Sequence, residues 1–360
     1  MLTPGTEVRW WLLWAAIPYG LLSQCRAALY RWGWLSQRKL PVFVVSVGNL
    51  TVGGTGKTPV VIRLAEWLLA SGKRVAILSR GYRRTGSAPM LLVSNGEQLL
   101  AKAEEAGDEP YLMAQRCPKA IIAVGADRYA VGRWVLEQFP VDCVLLDDGF
   151  QHLGLHRDVN LLLIDATDAK GLRALLPAGR LREFPGAAAR ASMILVTRAD
   201  DPASVAAVLE RLGPAVRTLP PAVRVVFRAG GLVSVATGLQ QPRDWCRGKK
   251  AILCSGIGHA ASFRALAESL DVRVLDEMIF PDHYRYDQRD VRRLRDRAAE
   301  LDAELVMTTE KDATKLSALL DSTKDEWWAV RLETDISAGE DQLRRLVVNG
   351  AAAGSREACA

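Results

Sequence analysis

The run Gly53-Gly54-Thr55-Gly56-Lys57-Thr58 brings three glycines, a lysine and two hydroxyls together. Glycines let backbone N–H groups turn toward phosphate oxygens with no Cβ in the way. The run follows the β-branched stretch Val42–Val47 and opens a helix-length segment from Lys57 to Ala70, the strand–loop–helix setting that a phosphate-binding loop requires. The start of that helix adds positive potential. In such a loop Thr51, Val52, Gly53, Gly54, Thr55 and Gly56 surround the phosphates. Lys57 reaches the β- and γ-phosphates, and the Thr58 hydroxyl binds Mg²⁺. The strict pattern has glycine where Thr51 stands, so this is a variant loop with an internal Gly-Gly pair.

A second acidic element follows the apolar run Val144-Leu145-Leu146, in the order Asp147-Asp148-Gly149-Phe150-Gln151-His152. A buried strand ending in carboxylates brings Asp147 or Asp148 beside Thr58 on the magnesium side. Phosphoryl transfer to a hydroxyl also needs a base. Asp108 and Glu109 open a predicted helix in Gly107-Asp108-Glu109-Pro110, where Asp108 fits equally as helix cap or as base. His283, in Phe280-Pro281-Asp282-His283-Tyr284, is the other candidate. Gly256-Ile257-Gly258-His259-Ala260-Ala261 matches a dinucleotide fingerprint, with Asp276 about 20 residues on. A tight turn packing a helix on a sheet uses glycines the same way, and the phosphate loop already accounts for nucleotide use. NAD(P) binding is not expected.

These residues need a scaffold of strands and helices. Strand-like runs are predicted at Val42–Val47, Arg74–Leu78, Ala120–Val124, Val141–Leu146, Val159–Ile164 and Ser192–Thr197. Helix-length segments lie between most of them, at 57–70, 109–116, 128–139 and 202–212. A second series has strands at 223–228, 232–235, 251–254, 272–275, 304–307 and 327–332, with helices at 260–270, 288–301 and 313–320. Near-continuous apolar strands alternating with helices predict an α/β fold of the P-loop NTPase type. Its sheet is mostly parallel, covered by helices, with a second smaller α/β domain. The Pro-rich stretch 213–222 is the predicted linker. The expected organisation is an N-terminal segment 1–35, a nucleotide domain 36–215, a second domain 216–350 that contributes to the cleft, and a frayed tail 351–360.

The chain has 360 residues, 49% hydrophobic and 24% charged, which excludes a disordered or fibrous protein. A net charge of +6 favours an anionic partner but is too small to argue for nucleic acid. Six cysteines without a CxxC pair read as scattered reduced thiols. Trp10, Trp11, Trp14, Trp32 and Trp34 are half of the ten tryptophans. The apolar run Trp10–Leu22, bracketed by Arg9 and Arg26 and interrupted by Pro18 and Gly20, is too short for a span of about 30 Å. Its aromatic rings and flanking arginines suit the headgroup level of a membrane instead.

Taken together the motifs resemble the tetraacyldisaccharide 4'-kinase family, the lipid A 4'-kinases of Gram-negative bacteria. The resemblance runs in order from about Trp10 to Leu332. It is carried by Val47–Pro59, Leu78-Ser79-Arg80-Gly81-Tyr82, Gly107–Pro110, Asp147–His152, Leu176–Gly179 with Leu181-Arg182-Glu183, Phe280–His283 and Thr309-Glu310-Lys311-Asp312-Ala313. It implies ATP-dependent phosphorylation of the 4'-hydroxyl of an acylated glucosamine disaccharide 1-phosphate, with Mg²⁺, at the cytoplasmic face of the bacterial inner membrane. Asp108 is then the general base paired with His283, and Asp147 and Asp148 serve the Mg²⁺ and phosphoryl side. Arg80, Tyr82, Glu109, Arg128 and Gln151 become substrate-side residues, and Arg182 and Glu183 lie toward the nucleotide. Neither nucleic acid nor an obligate protein partner is implied. Two departures stand out: Arg180 where the family usually has proline, and His259-Ala260 where Asn-Pro is frequent. The rival reading is a membrane-bound nucleotide switch, which needs the same phosphate loop and apolar segment but no sugar site.

Overall fold

The protein is described by a computed structural model over residues 8–82, 84–321 and 326–352. Its strands are β1 (Phe43–Asn49), β2 (Val75–Ser79), β3 (Met90–Asn95), β4 (Ile121–Gly125), β5 (Cys143–Asp147), β6 (Val159–Asp165) and β7 (Met193–Thr197). They continue with β8 (Ala222–Ser234), β9 (Gln240–Gln241), β10 (Lys250–Ser255), β11 (Arg273–Ile279), β12 (Leu305–Thr309) and β13 (Trp327–Ala338). The helices are α1 (Leu13–Arg31), α2 (Lys57–Ala70), α3 (Ala103–Ala106), α4 (Asp108–Arg116) and α5 (Arg128–Gln138). After these come α6 (Pro202–Leu212), α7 (Ala260–Glu268), α8 (Gln288–Glu300), α9 (Glu310–Leu316) and α10 (Glu340–Arg344).

All the strands join one sheet, in the order β11-β10-β12-β13-β8-β7-β6-β1-β5-β2-β4-β3, with β9 paired to β8. Only β13–β8, β3–β4 and β8–β9 pair antiparallel. Every other pairing is parallel, as the near-continuous apolar strands predict. Alternate residues explain why both faces are covered. Val45 and Leu145 pack under α2 and α4, while their neighbours Val44 and Val144 pack under α5. At the other end Ala251 and Leu253 meet α7, and Ile252 and Cys254 meet α8.

The expected boundary at 215/216 falls between α6 and β8, and the sheet passes through it without a break. The strands predicted at 223–228 and 232–235 are one strand, β8. Ala229-Gly230-Gly231 looks like a turn in sequence, but the register slips there, pairing Arg331 with Gly231 and Leu332 with Ala229. The glycines thus form a bulge inside a continuous ladder. Strand β3 escapes sequence reading because it is a half-buried edge strand ending in Ser94 and Asn95. Helix α9 starts three residues earlier than predicted because Thr309 caps it, its Oγ1 accepting from Asp312 N at 3.1 Å. The tail expected over 351–360 lies outside the described residues from 353 on.

Helix α1 runs through Pro18 and Gly20 instead of breaking at them. Docking on the body is the reason. Ala16 and Gly20 are buried, and a Cβ on Gly20 would fall 2.5 Å from Leu175 Cδ1 and 2.7 Å from the Phe184 ring. Trp10, Trp14, Ile17 and Leu21 share the outer face at helical spacing, each at least 60% exposed. No described helix is long and apolar enough to cross a membrane.

Gly20→Val should overpack this contact and cost about 1–3 kcal/mol. A lower Tm and faster proteolytic release of the N-terminal segment are the expected readouts. An unchanged melting curve would mean that α1 docks otherwise.

Candidate active site

The loop between β1 and α2 has two positions that only glycine fits. A Cβ on Gly53 (φ +117°) would collide with the Arg180 guanidinium, and one on Gly56 (φ +84°) would collide with the Phe227 ring. Side chains pin the rest. Asn49 Nδ2 donates to Thr55 Oγ1 at 2.9 Å, and Lys57 Nζ donates to Asn49 Oδ1 at 3.3 Å. Arg180 donates to Val52 O at 2.6 Å and pairs with Asp168 at 2.7 Å. The departure at position 180 therefore braces the loop from behind.

Two aspartates stand at the end of β5 in different states. Ser79 Oγ donates to Asp147 Oδ2 at 2.8 Å, while Asp147 Oδ1 is buried with no hydrogen-bond partner among the described residues. Burial, followed by the charges of Glu109 and Asp148, pushes the Asp147 carboxyl up to about 7. Asp148 sits in a left-handed conformation (φ +54°) and pairs with Arg182 at 2.8 Å and Lys57 at 3.6 Å. Burial opposes its ionisation, but Lys57 and Arg182 outweigh this and hold its carboxyl below the usual range.

Asp108 is not the cap of α4. Gly107 holds that position, and Asp108 is the first helical residue. Its Oδ2 lies 3.3 Å from His283 Nδ1 and 3.6 Å from Lys315 Nζ. His283 reaches it from a left-handed turn (φ +61°) after β11. On the far side of the ring, Lys311 Nζ is 3.2 Å from His283 Nε2 and 3.3 Å from Glu109 Oε1. An ammonium can only donate, so it makes Nε2 the acceptor and leaves the ring proton on Nδ1, pointing at Asp108. Burial alone would raise the Asp108 carboxyl. The His283 hydrogen bond and the Lys315 and Lys311 charges win, holding it below the usual range. Tyr82 meets the His283 ring edge-on at 5.7 Å.

These groups line one cleft of about 1090 Å³. Val52, Gly53, Gly54, Thr55, Gly56, Lys57, Thr58, Arg80, Tyr82, Asp108, Glu109, Asp147, Asp148, Gln151, Arg182 and His283 all border it. Three expected site residues do not. Thr51 is buried in a bridge to Leu181, Glu183 accepts from Arg190 at 2.8 Å, and Arg128 is buried and donates to the carbonyls of Gly125 and Ala126. Arg128 still acts on the site through its charge, which helps keep Asp148 ionised. Sequence reasoning assigns no role to Lys311, Lys315, Ser79 or Phe227. Lys311 lies within Thr309–Ala313, so its motif is visible in sequence but its partner is not. The fingerprint glycine Gly256 serves packing: its N–H donates to Asp312 at 2.8 Å, and a Cβ there would meet Tyr286 at 2.9 Å. Asp276 is taken up by Arg297 at 2.6 Å.

The family model described as tetraacyldisaccharide-1-P 4'-kinase (LpxK) matches residues 8–350. A tetraacyldisaccharide 4'-kinase of Pelobacter propionicus is 38% identical over 334 residues, covering 91% of this chain and 90% of that protein. One of Geobacter sulfurreducens is 41% identical over 308 residues, covering 85% and 84%. Among solved structures, LpxK from Aquifex aeolicus in complex with ATP superposes with a TM-score of 0.75 at 34% identity, covering 95% of this chain and 99% of that one.

A carboxyl held low in the folded state contributes stability that is full above its unfolded value and is lost as pH falls through the folded value. Asp108 is such a group, and its ionised form is the one able to take a proton. Lys311→Met removes part of what holds it low, so the acid limb of the kcat profile should move to higher pH. The check is kcat against pH for both proteins. An acid limb that does not move would remove Lys311 from the electrostatics of Asp108.

Proposed function

The chain belongs to the tetraacyldisaccharide-1-P 4'-kinase family, and from that premise we propose that it transfers the γ-phosphoryl group of ATP to the 4'-hydroxyl of tetraacyldisaccharide 1-phosphate, with Asp108 as general base. One observation carries the assignment: the Asp108–His283 pair at 3.3 Å opens into the same cleft as Lys57 and the glycine loop. The phosphates would lie along the N–H groups from Gly53 to Thr58 at the start of α2. Lys57, 13% exposed, would neutralise charge on the transferring group. The acceptor hydroxyl would enter from the Arg80, Tyr82 and Gln151 side and give its proton to Asp108. His283, kept in its Nδ1–H form by Lys311, orients that carboxylate and stabilises its charge.

Mg²⁺ fits the residues present. The unpartnered Asp147 Oδ1 and the Thr58 hydroxyl supply oxygen donors, whereas Asp148 is already balanced by Lys57 and Arg182. Among the described residues no cluster of three or more His, Cys, Asp or Glu side chains forms a metal cage. A magnesium ion that keeps waters and takes phosphate oxygens needs none. When bound, it would draw charge from the β- and γ-phosphates. Asp147 and Thr58 would hold it.

The exposed face of α1 supports a membrane-surface site of action, on the cytoplasmic side where ATP is found. Tyr19 on the same helix lines the cleft and donates to Arg182 O at 3.0 Å, so the apolar face and the phosphoryl site are close neighbours. No nucleic acid or obligate protein partner enters this reading.

Asp108→Asn preserves shape and removes the base. Its kcat should fall by about 10²–10⁴, with ATP affinity near normal, as read by steady-state kinetics and ATP titration. His283→Ala should lose activity in the same way, and the double variant should be no worse than the poorer single one. Near-normal kcat in folded Asp108→Asn would refute the base assignment. ATP consumption should also require the acylated disaccharide 1-phosphate. Equal turnover without it would favour a nucleotide switch.

Replacing Trp10, Trp14 and Leu21 by serine should weaken sedimentation with anionic liposomes and raise the apparent KM for micellar acceptor. ATP affinity should not change. Liposome binding equal to that of the unmodified chain would rule out the α1 face as the contact.

A further inference from the structure

The two departures from the family pattern, Arg180 and His259, are far apart in sequence and meet at the phosphate loop. Arg180 crowds Gly53. His259 arrives from the turn between β10 and α7, and a Cβ on Gly54 would fall 3.9 Å from its Cδ2. It stands at the start of α7, but its side chain does not cap that helix. The ring borders the same cleft as Gly54 and Lys57. An imidazole over a phosphate-binding loop, with no capping task, is free to answer to what the loop binds.

The charges that face the ring are paired without it. Arg198 follows β7, donates to Gly54 O at 3.0 Å and pairs with Asp165 at the end of β6. Arg180 pairs with Asp168 at 2.7 Å. His259 Nε2 lies 4.0 Å from Asp165 Oδ2, too far for a hydrogen bond. From the turn after β11, Asp282 comes near Gly258, with Lys311 Nζ 3.5 Å away. Around the loop, two aspartates and two arginines cancel, so an imidazolium here would be a cation without a counter-ion. Burial, followed by the Arg198 charge, holds the ring's proton affinity below the usual histidine range. Arg180 acts in the same direction, and Asp165 and Asp168 only partly oppose it. A polyphosphate brings to Gly54 the excess negative charge that the cluster lacks, and it favours the protonated ring.

We propose that His259 is a proton-linked contact for the phosphates of the nucleotide, taking up a proton as they arrive, so that this chain binds ATP more tightly as pH falls. The inference rests on the kinase reading above, because it takes the phosphates to lie along the loop from Gly53 to Thr58. The sign follows from linkage. A group that holds its proton more firmly in the complex than in the free protein adds affinity in full below its free value. That gain is lost as pH rises through the value in the complex. Asparagine, frequent at this position in the family, can donate a hydrogen bond but cannot change charge. The phosphate contact in this chain is therefore made by a residue of the α7 end of the sheet, and it is switched by pH.

The test is calorimetric titration of ATP with saturating Mg²⁺ into the full chain, into His259→Asn and into His259→Lys. It is run from about pH 6 to about pH 8, around the histidine range, in buffers of different ionisation enthalpy, which counts the protons taken up. Phosphoryl transfer to the acylated disaccharide 1-phosphate is measured in parallel. Asp147, with its carboxyl pushed up to about 7, titrates in the same window. It is common to all three proteins, so differences between them isolate position 259. One fully linked proton changes affinity about tenfold per pH unit. On going from high to low pH the unmodified chain should gain at least about threefold more affinity than His259→Asn, with more protons taken up. His259→Lys, a cation throughout, should bind more tightly than His259→Asn at the high end. The side chain is 28% exposed, so both variants should fold, and melting curves check this. Equal pH slopes in the unmodified chain and His259→Asn would overturn the proposal, as would His259→Lys binding no more tightly than His259→Asn. If none of the three binds ATP, the loop is not the nucleotide site and both readings fall. A pH slope lost in His259→Asn, but with no transfer to the acceptor from any of the three, would support the proton link and sink the kinase reading.

Discussion

In the proposed reaction the base must be ionised, aimed and kept from collapsing onto the nearest cation. Asp108 meets these conditions only because groups 175 and more residues away reach it from the far end of the sheet. His283 arrives on the turn after β11, Lys311 and Lys315 on α9. The long antiparallel pair β8–β13 welds the strands behind those groups to the strands behind the phosphate loop. Glu310, which opens α9, binds Arg116 of α4 at 2.8 Å and the Leu332 N–H at 2.8 Å. The helix that carries Asp108 and the helix that carries its cations are therefore tied at both ends. Buried ion pairs of this kind are poor sources of net stability, since desolvation offsets their attraction. Their contribution here is position and protonation state.

The same balance recurs around the phosphate loop. Its carbonyls at Val52 and Gly54 accept from Arg180 and Arg198, and each arginine is matched by an aspartate, Asp168 or Asp165. Of its N–H groups, Val52 donates to Arg180 O at 2.8 Å and Thr55 donates to Gly53 O at 3.1 Å. Positive charge behind the loop is cancelled locally, so it does not compete with Lys57 for the phosphates. Asp147 is the exception. Its second oxygen has no partner among the described residues, and burial beside Glu109 and Asp148 disfavours its charge. In the proposed reading, a cation arriving with the nucleotide would relieve that imbalance and would couple metal binding to phosphate binding without any further residue.

Most of the sheet is legible from β-branched runs because parallel strands are buried on both faces and need apolar residues throughout. The phosphate loop is legible because its glycines obey local geometry. Thr51 reads in sequence as part of that loop, yet it is buried in a bridge to Leu181 and does not border the cleft, since sequence gives the loop's length but not which residues face inward. Glu183 is misplaced for a similar reason: its partner Arg190 lies in a 3₁₀ turn with no periodic signal. Lys311 has no role in sequence terms because its partners are set by tertiary packing across the cleft. The ambiguity of Asp108 between cap and base is real at the level of sequence. Gly107 removes the cap reading, since it occupies the cap and leaves the Asp108 side chain to His283.

Helix α1 joins two demands that usually conflict. One side of α1 is buried against the body, and the other exposes large apolar side chains. Ala16 and Gly20 are small because the body approaches closely there, and Gly20 leaves room for Leu175 and Phe184. The opposite face carries tryptophans, which are large, rigid and amphipathic, and they stay out of the core. Tyr19 lies between the two faces and reaches the Arg182 carbonyl, one residue away from the segment that carries Leu181 and the phosphate loop's bridge to Thr51. An acylated acceptor anchored at such a face needs to present only its sugar to the cleft, so its chains can remain in the apolar phase. In the proposed reading, such an acceptor would need no deep acyl tunnel, and the charged groups around Lys57 and Asp108 would be left to the sugar and the phosphates.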